Sequence, residues 1–475
     1  MKNAIYILGI SICFFIPSCK KEECTDYKGY PPEIGKIILN RCATTGCHTD
    51  AAKEAAAGLS LESWTSLFNG SRYGNTAVIP YRPDYSFLTY FVNTYNDLGP
   101  IVPPSMPPNE VPLTRDEVIA IKNWISIGAP ANNGLVKWSN YPHTKMFVVN
   151  QGCDNVYIID AETGLVMRCI NIGVSAGIES AHYIEISPDE KYFYVCFYTG
   201  TVFQKFRTSD GSLVGTTTLG AGQWSAFEIT PDGKFAFVTN WDSDGKIAVV
   251  NLETMTLQIT YQGMGLLIYP HGIGMNGNNL YVTTQPGNFL YKIDVTDINN
   301  PVFNQLPLQN GANTHEIHFS EDRMEYAVSS VGLNQVWFFN AATDALIATV
   351  PTGIAPEEPH YAGNYLFVTC PADNVTFPGK QGCVTIIDAT THTFIKNIYT
   401  GWNPHGVVPD EENGKVWILH RNIYSGGPPP HHSSACSGRN GYMTAIDLNT
   451  LELIPDLKPE LAVDPYFGAV IGHHH

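Results

Sequence analysis

The chain has 475 residues, 44% hydrophobic and 12% aromatic, a length that exceeds one ordinary core and predicts about two domains. Only 15% of residues are charged and the formal net charge is −17, so the surface repels phosphate backbones and nucleic acid is excluded as a partner. The 42 Gly and 32 Pro favour turn-rich β structure, and beyond the N-terminus no apolar run approaches the roughly 20 residues of a membrane span.

Residues 1–18 have the form of a secretory signal, with Lys2 before an apolar stretch from Ile5 to Pro17. Ile16-Pro17-Ser18-Cys19 resembles the lipobox of bacterial lipoproteins, although proline is an unusual occupant. The resemblance implies a lipid on Cys19 and a tether over 19–29. It also implies a mature protein in the cell envelope, on the periplasmic face or the cell surface, attached to the membrane by its lipid alone. Disulfides persist in such a compartment. Apart from Cys13, Cys19, Cys42 and Cys47, seven cysteines remain. An odd number cannot all pair within one chain, and the pairing of Cys24, Cys153, Cys169, Cys196 and Cys436 stays open.

Over residues 30–133, Ile34, Ile37, Ile38 and Cys42 recur at helical spacing after Pro31 and Pro32. The helix leads into Cys42-Ala-Thr-Thr-Gly-Cys47-His48. Two thiols followed by a histidine suit covalent haem attachment, with each thiol on a vinyl group and the imidazole on the iron. The spacing is C-x4-C-H, wider than the usual C-x-x-C-H, and a disulfide loop or another metal site would also use these residues. Downstream, Met106 sits in Pro103-Pro-Ser-Met-Pro-Pro108, where flanking prolines fix a loop able to present a thioether. A closing helix follows, opened by a capping box of Thr114 and Glu117.

This order resembles a class I cytochrome c. It is also similar to cytochrome-like domains of bacterial surface proteins in Val78-Ile-Pro80, Ser86 to Leu88, Met106-Pro-Pro108, Trp124-Ile125 and Gly128-Ala129. The resemblance implies a small all-α cytochrome c-like domain over 30–133 with covalent haem c on Cys42 and Cys47, and His48 and Met106 as axial ligands.

Over residues 138–472, short strands alternate with Gly, Asp and Asn turns in seven units of about 45 residues. Strands such as Tyr192–Cys196, Phe235–Thr239 and Tyr365–Thr369 recur. So do strand ends at Asp160, Asn251, Asp294, Asn340, Asp388 and Asp447, each before a Thr-rich turn. The pattern predicts an all-β seven-bladed propeller, and its text resembles the YVTN family of propellers. The first unit lacks an innermost strand, which the segment from Tyr466 to Gly472 is suited to supply by pairing with Met146 to Asn150.

Aligned on innermost strands, His182, Ser225, His271, His315, His360 and His405 form a column with steps of 43, 46, 44, 45 and 45 residues. The histidines would converge on the central channel, where neutral imidazoles suit copper or zinc. His420, ending a neighbouring strand on the same face, is a further candidate ligand. Insertions at Ile423 to Gly441, with His431, His432 and Cys436, and between Cys370 and Cys383 would wall a pocket there. The latter two cysteines are expected to form a disulfide. His143, His318 and His392 fall outside the column.

The column resembles the hubs of nitrous oxide reductase, a seven-bladed propeller with a copper cluster, and of cytochrome cd1-type proteins, eight-bladed with a second haem. The chain lacks the copper domain of the first and one blade of the second. The resemblance implies a hub cofactor on His182, His271, His315, His360 and His405, copper first and a second haem next. The expected function is a redox lipoprotein passing electrons between haem c and the hub centre, with a redox protein or a small molecule as partner and an oxidoreductase activity at the hub. The rival expectation is an electron carrier whose metal-free propeller is a docking module. No Ser-His-Asp or paired-carboxylate site stands out, which disfavours hydrolysis.

Overall fold

The computed structural model describes residues 26–472, apart from 140–143, 264, 424, 425, 431, 434 and 437. The signal segment, Cys19, Cys24, His143, His431 and His473–His475 therefore lie outside the described residues. From Lys145 onward the chain forms seven four-stranded antiparallel sheets, the blades of a propeller. Blade 1 takes its innermost strand from the far end of the chain: Pro465–Val470 pairs with Lys145–Asn150, with Val148 opposite Gly468. Blades 2 to 7 follow in chain order, with innermost strands Ala181–Ile186, Trp224–Ile229, Pro270–Asn276, Thr314–Phe319, Pro359–Ala362 and Pro404–Asp410. These strands are buried along nearly their whole length, whereas an outermost strand such as Leu213–Thr218 is largely exposed.

Local hydrogen bonding explains why the repeats look alike. Asn251, Asn340, Asp388 and Asp447 each accept backbone N–H bonds two and three residues on, closing the turn into the outermost strand. Between the innermost strand and its neighbour, the Ser187, Thr230 and Ser320 hydroxyls donate to Asp189, Asp232 and Asp322 at 2.7 Å. The repeated residues are turn formers, so the repeat text encodes the fold.

The region before the propeller corrects an expectation. It is not a separate small all-α domain. Among the described residues it holds four short α-helices: α1 Pro32–Arg41, α2 Trp64–Leu67, α3 Phe87–Val92 and α4 Arg115–Ser126. Turns and single 3₁₀ turns make up the rest, and the segment from Pro100 to Pro112, broken by repeated prolines, has no regular structure. The helices do share a core, with Ile34, Ile38, Leu67, Val118, Ile121 and Trp124 buried together. The Thr114–Glu117 capping box opens α4. The whole region is fastened along the outer strands of blades 1 and 7, however. Thr76 Oγ1 accepts from the Val166 N–H at 2.8 Å, Asn75 Oδ1 from the Glu460 N–H at 2.7 Å, and Arg82 donates to the Cys169 carbonyl at 3.2 Å. Trp138 packs against both the helical core and a propeller core. The molecule is thus mostly β, with a short-helix attachment on the seam where the ring closes.

That seam carries a disulfide, Cys153–Cys436, joining the first loop of blade 1 to the long insertion of blade 7. Cys370 and Cys383 face one another as directly opposite residues of blade 6, but as free thiols rather than the expected disulfide.

Candidate functional site

Two sites emerge. The first is a cavity of about 470 Å3 beside α1 and α3, into which Cys42, Cys47, His48 and Met106 all open. The rest of its wall is mainly apolar, with Leu59, Leu61, Phe87, Leu88, Phe91 and Val92. Cys42 ends α1, and its backbone N–H still bonds to Ile38. The six-residue loop to Cys47 closes where the His48 N–H meets the Cys42 carbonyl at 3.2 Å. The wider spacing therefore still brings both thiols and the imidazole to one wall.

His48 Nδ1 lies 3.2 Å from the Leu59 carbonyl oxygen. A carbonyl only accepts, so Nδ1 carries the proton and the Nε2 lone pair is left available. Met106 is held by its N–H donating to the Phe91 carbonyl at 2.8 Å. Burial pushes the Cys42 thiol up to about 12, so it is neutral at pH 7. A neutral thiol is a poor thiolate metal ligand. Neither cysteine is disulfide-bonded. Phe87 and Phe91 of this wall also touch the propeller, with ring centroids 5.9 and 5.5 Å from His432 in the blade 7 insertion.

The second site is the propeller hub. His182, His271, His315 and His405 line its mouth, all more than nine-tenths buried. The His271 and His315 rings lie 4.1 Å apart, and His405 is 6.4 Å from His315. Carboxylates interleave with them. His271 Nδ1 is 3.7 Å from Glu316, His315 Nδ1 is 3.5 Å from Glu358, and His405 Nε2 is 3.4 Å from Glu357. Burial holds His182, His315 and His405 well below the ordinary imidazole range, so all three are neutral at pH 7. Burial also pushes Glu357 up to about 7, and burial with the neighbouring Glu316 and Glu357 charges raises Glu358 well above the ordinary carboxylate range.

Two expected ligands are placed elsewhere. In blades 4 and 5 the column histidine lies two residues before the residue paired with a strand valine: Ile273 opposite Val282, and Ile317 opposite Val328. In blade 6 the corresponding pair is Pro359 opposite Val368, so Glu357 takes the column position. His360 sits three residues deeper, against the ring of His318 at 4.2 Å. The even spacing of histidines conceals this shift: Glu357 lies 42 residues after His315 and 48 before His405, and a histidine three residues later restores steps of 45. His420 is not in the hub. It stacks on Tyr442 at 4.6 Å, and its Nε2 meets the Thr444 hydroxyl at 2.9 Å within blade 7.

Sequence reasoning also missed residues. Tyr466 supplies the column position of blade 1, its ring 4.1 Å from His182 and 3.8 Å from His405. Its signal was the preceding proline: Pro465 matches Pro270 and Pro404, which precede His271 and His405. Arg421, bidentate on Asp464 at 2.6 and 2.9 Å, lies over the Tyr466 ring. The hydroxyls of Thr239, Thr283 and Thr369 donate to the carbonyls of His271, His315 and His405 at 2.9, 2.7 and 2.8 Å. The threonine of each "VT" strand end thus anchors the hub residue of the next blade.

No protein-family model matches the chain, and no curated protein matches it in sequence. Solved structures do match in fold. The chain is similar to a functionally unknown protein from Desulfotomaculum acetoxidans, at 13% identity over 70% of this chain and 99% of that one, with a TM-score of 0.53. It is similar to a candidate 6-phosphogluconolactonase from Bacteroides uniformis, at 14% identity over 69% and 99% of the two chains, also with a TM-score of 0.53. These likenesses extend to the fold alone. A looser match, at a TM-score of 0.47 and 13% identity over 75% and 86%, is to the dihydro-heme d1 dehydrogenase NirN, and no argument is drawn from it. The propeller is shared; the sites are read from this chain.

Proposed function

We propose that the protein is a haem c redox protein whose N-terminal cavity exchanges electrons with a histidine-held metal centre in the propeller hub. The observation that carries the reading is the convergence of Cys42, Cys47, His48 and Met106 on one largely apolar cavity. The two thiols are placed to form thioethers, His48 offers Nε2, and Met106 offers a soft sulfur. When bound, a haem there supplies one-electron transfer. The aromatic and aliphatic walls would keep water from the Met106 sulfur and from a haem held there.

The hub supports the second half of the reading. The imidazoles of His182, His315 and His405 are held neutral by burial, and the Nδ1 atoms of His182, His271 and His315 and Nε2 of His405 have no hydrogen-bond partner. Orphaned buried nitrogens are costly unless something binds them. Imidazoles suit copper and zinc, and of these two only copper would supply electron exchange. His432 of blade 7, seated on Phe87 and Phe91, is where the cavity and the propeller meet, and a redox partner of either kind would find both sites on one molecule. Export and lipidation at Cys19 complete the proposal and place these sites in the cell envelope.

The test is a pyridine-haemochrome spectrum of the full chain, expressed with cytochrome c maturation machinery. Covalent haem is expected, with the band shifted towards a single thioether in Cys47→Ser. A chain that carries no covalent haem overturns the reading.

A further inference from the structure

We infer that the hub metal sits off the propeller axis, between blades 4 and 5. There His271, His315 and Glu316 form a two-histidine, one-carboxylate set for a divalent cation, iron(II) by preference. This rests on the hub-metal reading above and replaces its symmetric ring of imidazoles with one defined site.

Three observations carry it. One nitrogen of each imidazole and one Glu316 oxygen all lie within 4.8 Å of one another, the sole such group of three among the described residues. His271 Nδ1 and Glu316 Oε2 are 3.7 Å apart, too far for a hydrogen bond. Two ligands with bonds of about 2.0–2.2 Å to one ion sit roughly 3–3.5 Å apart, so a cation needs only a small inward movement here. Second, Nδ1 of His271 and of His315 are buried without hydrogen-bond partners, in side chains only 11% exposed.

Third, the surroundings are built to present these atoms. Thr239 and Thr283 anchor the backbones of His271 and His315. The Ile317 N–H donates to Glu316 Oε1 at 3.2 Å, which leaves Oε2 for the site. Gly272 makes the room, since a Cβ there would lie 2.1 Å from Glu316 Oε1 and 2.7 Å from its Cα.

The other hub groups are less available. His405 has its Nδ1 committed at 3.2 Å to the Tyr466 carbonyl, and its ring lies 6.4 Å from that of His315. His182 is packed between the rings of Tyr198 and Tyr466. A carboxylate in the set shifts preference from copper(I) towards iron(II) or zinc(II), and two imidazoles with one carboxylate leave coordination positions open to a small molecule.

The test uses full-length protein stripped of hub metal by a chelator and titrated with zinc(II) by calorimetry. Wild type is expected to bind one ion, with affinity falling at least tenfold in Glu316→Gln and His271→Asn and staying unchanged in His392→Gln, which lies outside the hub. Circular dichroism establishes that each variant is folded. Zinc-edge X-ray absorption of the loaded wild type is expected to give imidazole and oxygen neighbours, and this measurement decides the matter if the Glu316 variant does not fold. Normal binding by Glu316→Gln, or a first shell of imidazoles alone, overturns the assignment while leaving a hub metal in place. A wild-type protein that binds no zinc(II), cobalt(II) or iron(II) overturns both this inference and the hub-metal reading.

Discussion

The cavity and the hub are assembled in opposite ways. The cavity draws its chemistry from one stretch of chain, with Cys42, Cys47 and His48 nearly contiguous and Met106 on the loop that covers them. The hub draws side chains from every blade, so most of its neighbours are distant in sequence, although Glu316 follows His315 directly. The cavity depends on loop closure and on apolar walls. The hub depends on strand register, on threonines that reach across blades, and on carboxylates placed between imidazoles. A local site tolerates an irregular frame, whereas a distributed site needs a rigid one, and the propeller provides it.

That contrast predicts separable losses. The largest concerns the cavity: Cys42→Ser with Cys47→Ser should abolish covalent haem entirely and leave hub metal content unchanged, measured by denaturing gel haem stain and elemental analysis. Loss of both together would show that the sites are not independent. Next is the seam. Replacing Cys153 and Cys436 by Ser should lower stability by about 2–5 kcal/mol, because the bridge spans 283 residues and ties blade 1 to blade 7, as denaturant titration would reveal. Asp464→Ala should cost on the order of 3 kcal/mol by leaving Arg421 buried and unpaired beside Tyr466. Thr283→Val should cost about 1 kcal/mol and weaken hub metal binding while haem is unaffected, since it frees the His315 carbonyl.

The smallest effect lies where the two sites meet. The Glu460 carboxylate bonded to His432 raises that imidazole above its ordinary value, against the opposing effect of burial. Lys458 lies near the same carboxylate, and Arg439 lies near Lys458. A raised histidine adds stability that is complete below its unfolded value of about 6.5 and disappears as pH rises through the folded one. The difference in melting temperature between wild type and His432→Gln should therefore shrink from pH 5 to pH 9. A difference that grows with pH would contradict this coupling.

Much of the propeller was legible because its repeated residues each perform a local task. Asn340 and Asp388 close turns, Ser187 and Thr230 cap hairpins, and Thr239 and Thr283 hold the next blade. The cavity motif was legible for the same reason, its residues being close in sequence. What escaped depended on distant contacts. The helices read as a domain of their own because nothing in residues 30–133 signals that Thr76 and Asn75 bond to blades 1 and 7. His360 passed for a hub residue because spacing was counted between histidines. Counting back from Val368 of the adjoining strand finds Glu357. The Cys153–Cys436 bridge follows from ring closure, which brings the first and last blades side by side.

The central claim is that one chain carries two redox centres, and a reductive titration of the natively purified full-length protein tests it most directly. With haem followed by absorbance and the hub by electron paramagnetic resonance, the account predicts two one-electron equivalents per chain, one for each site. A single equivalent, wholly accounted for by the haem bands, would contradict it.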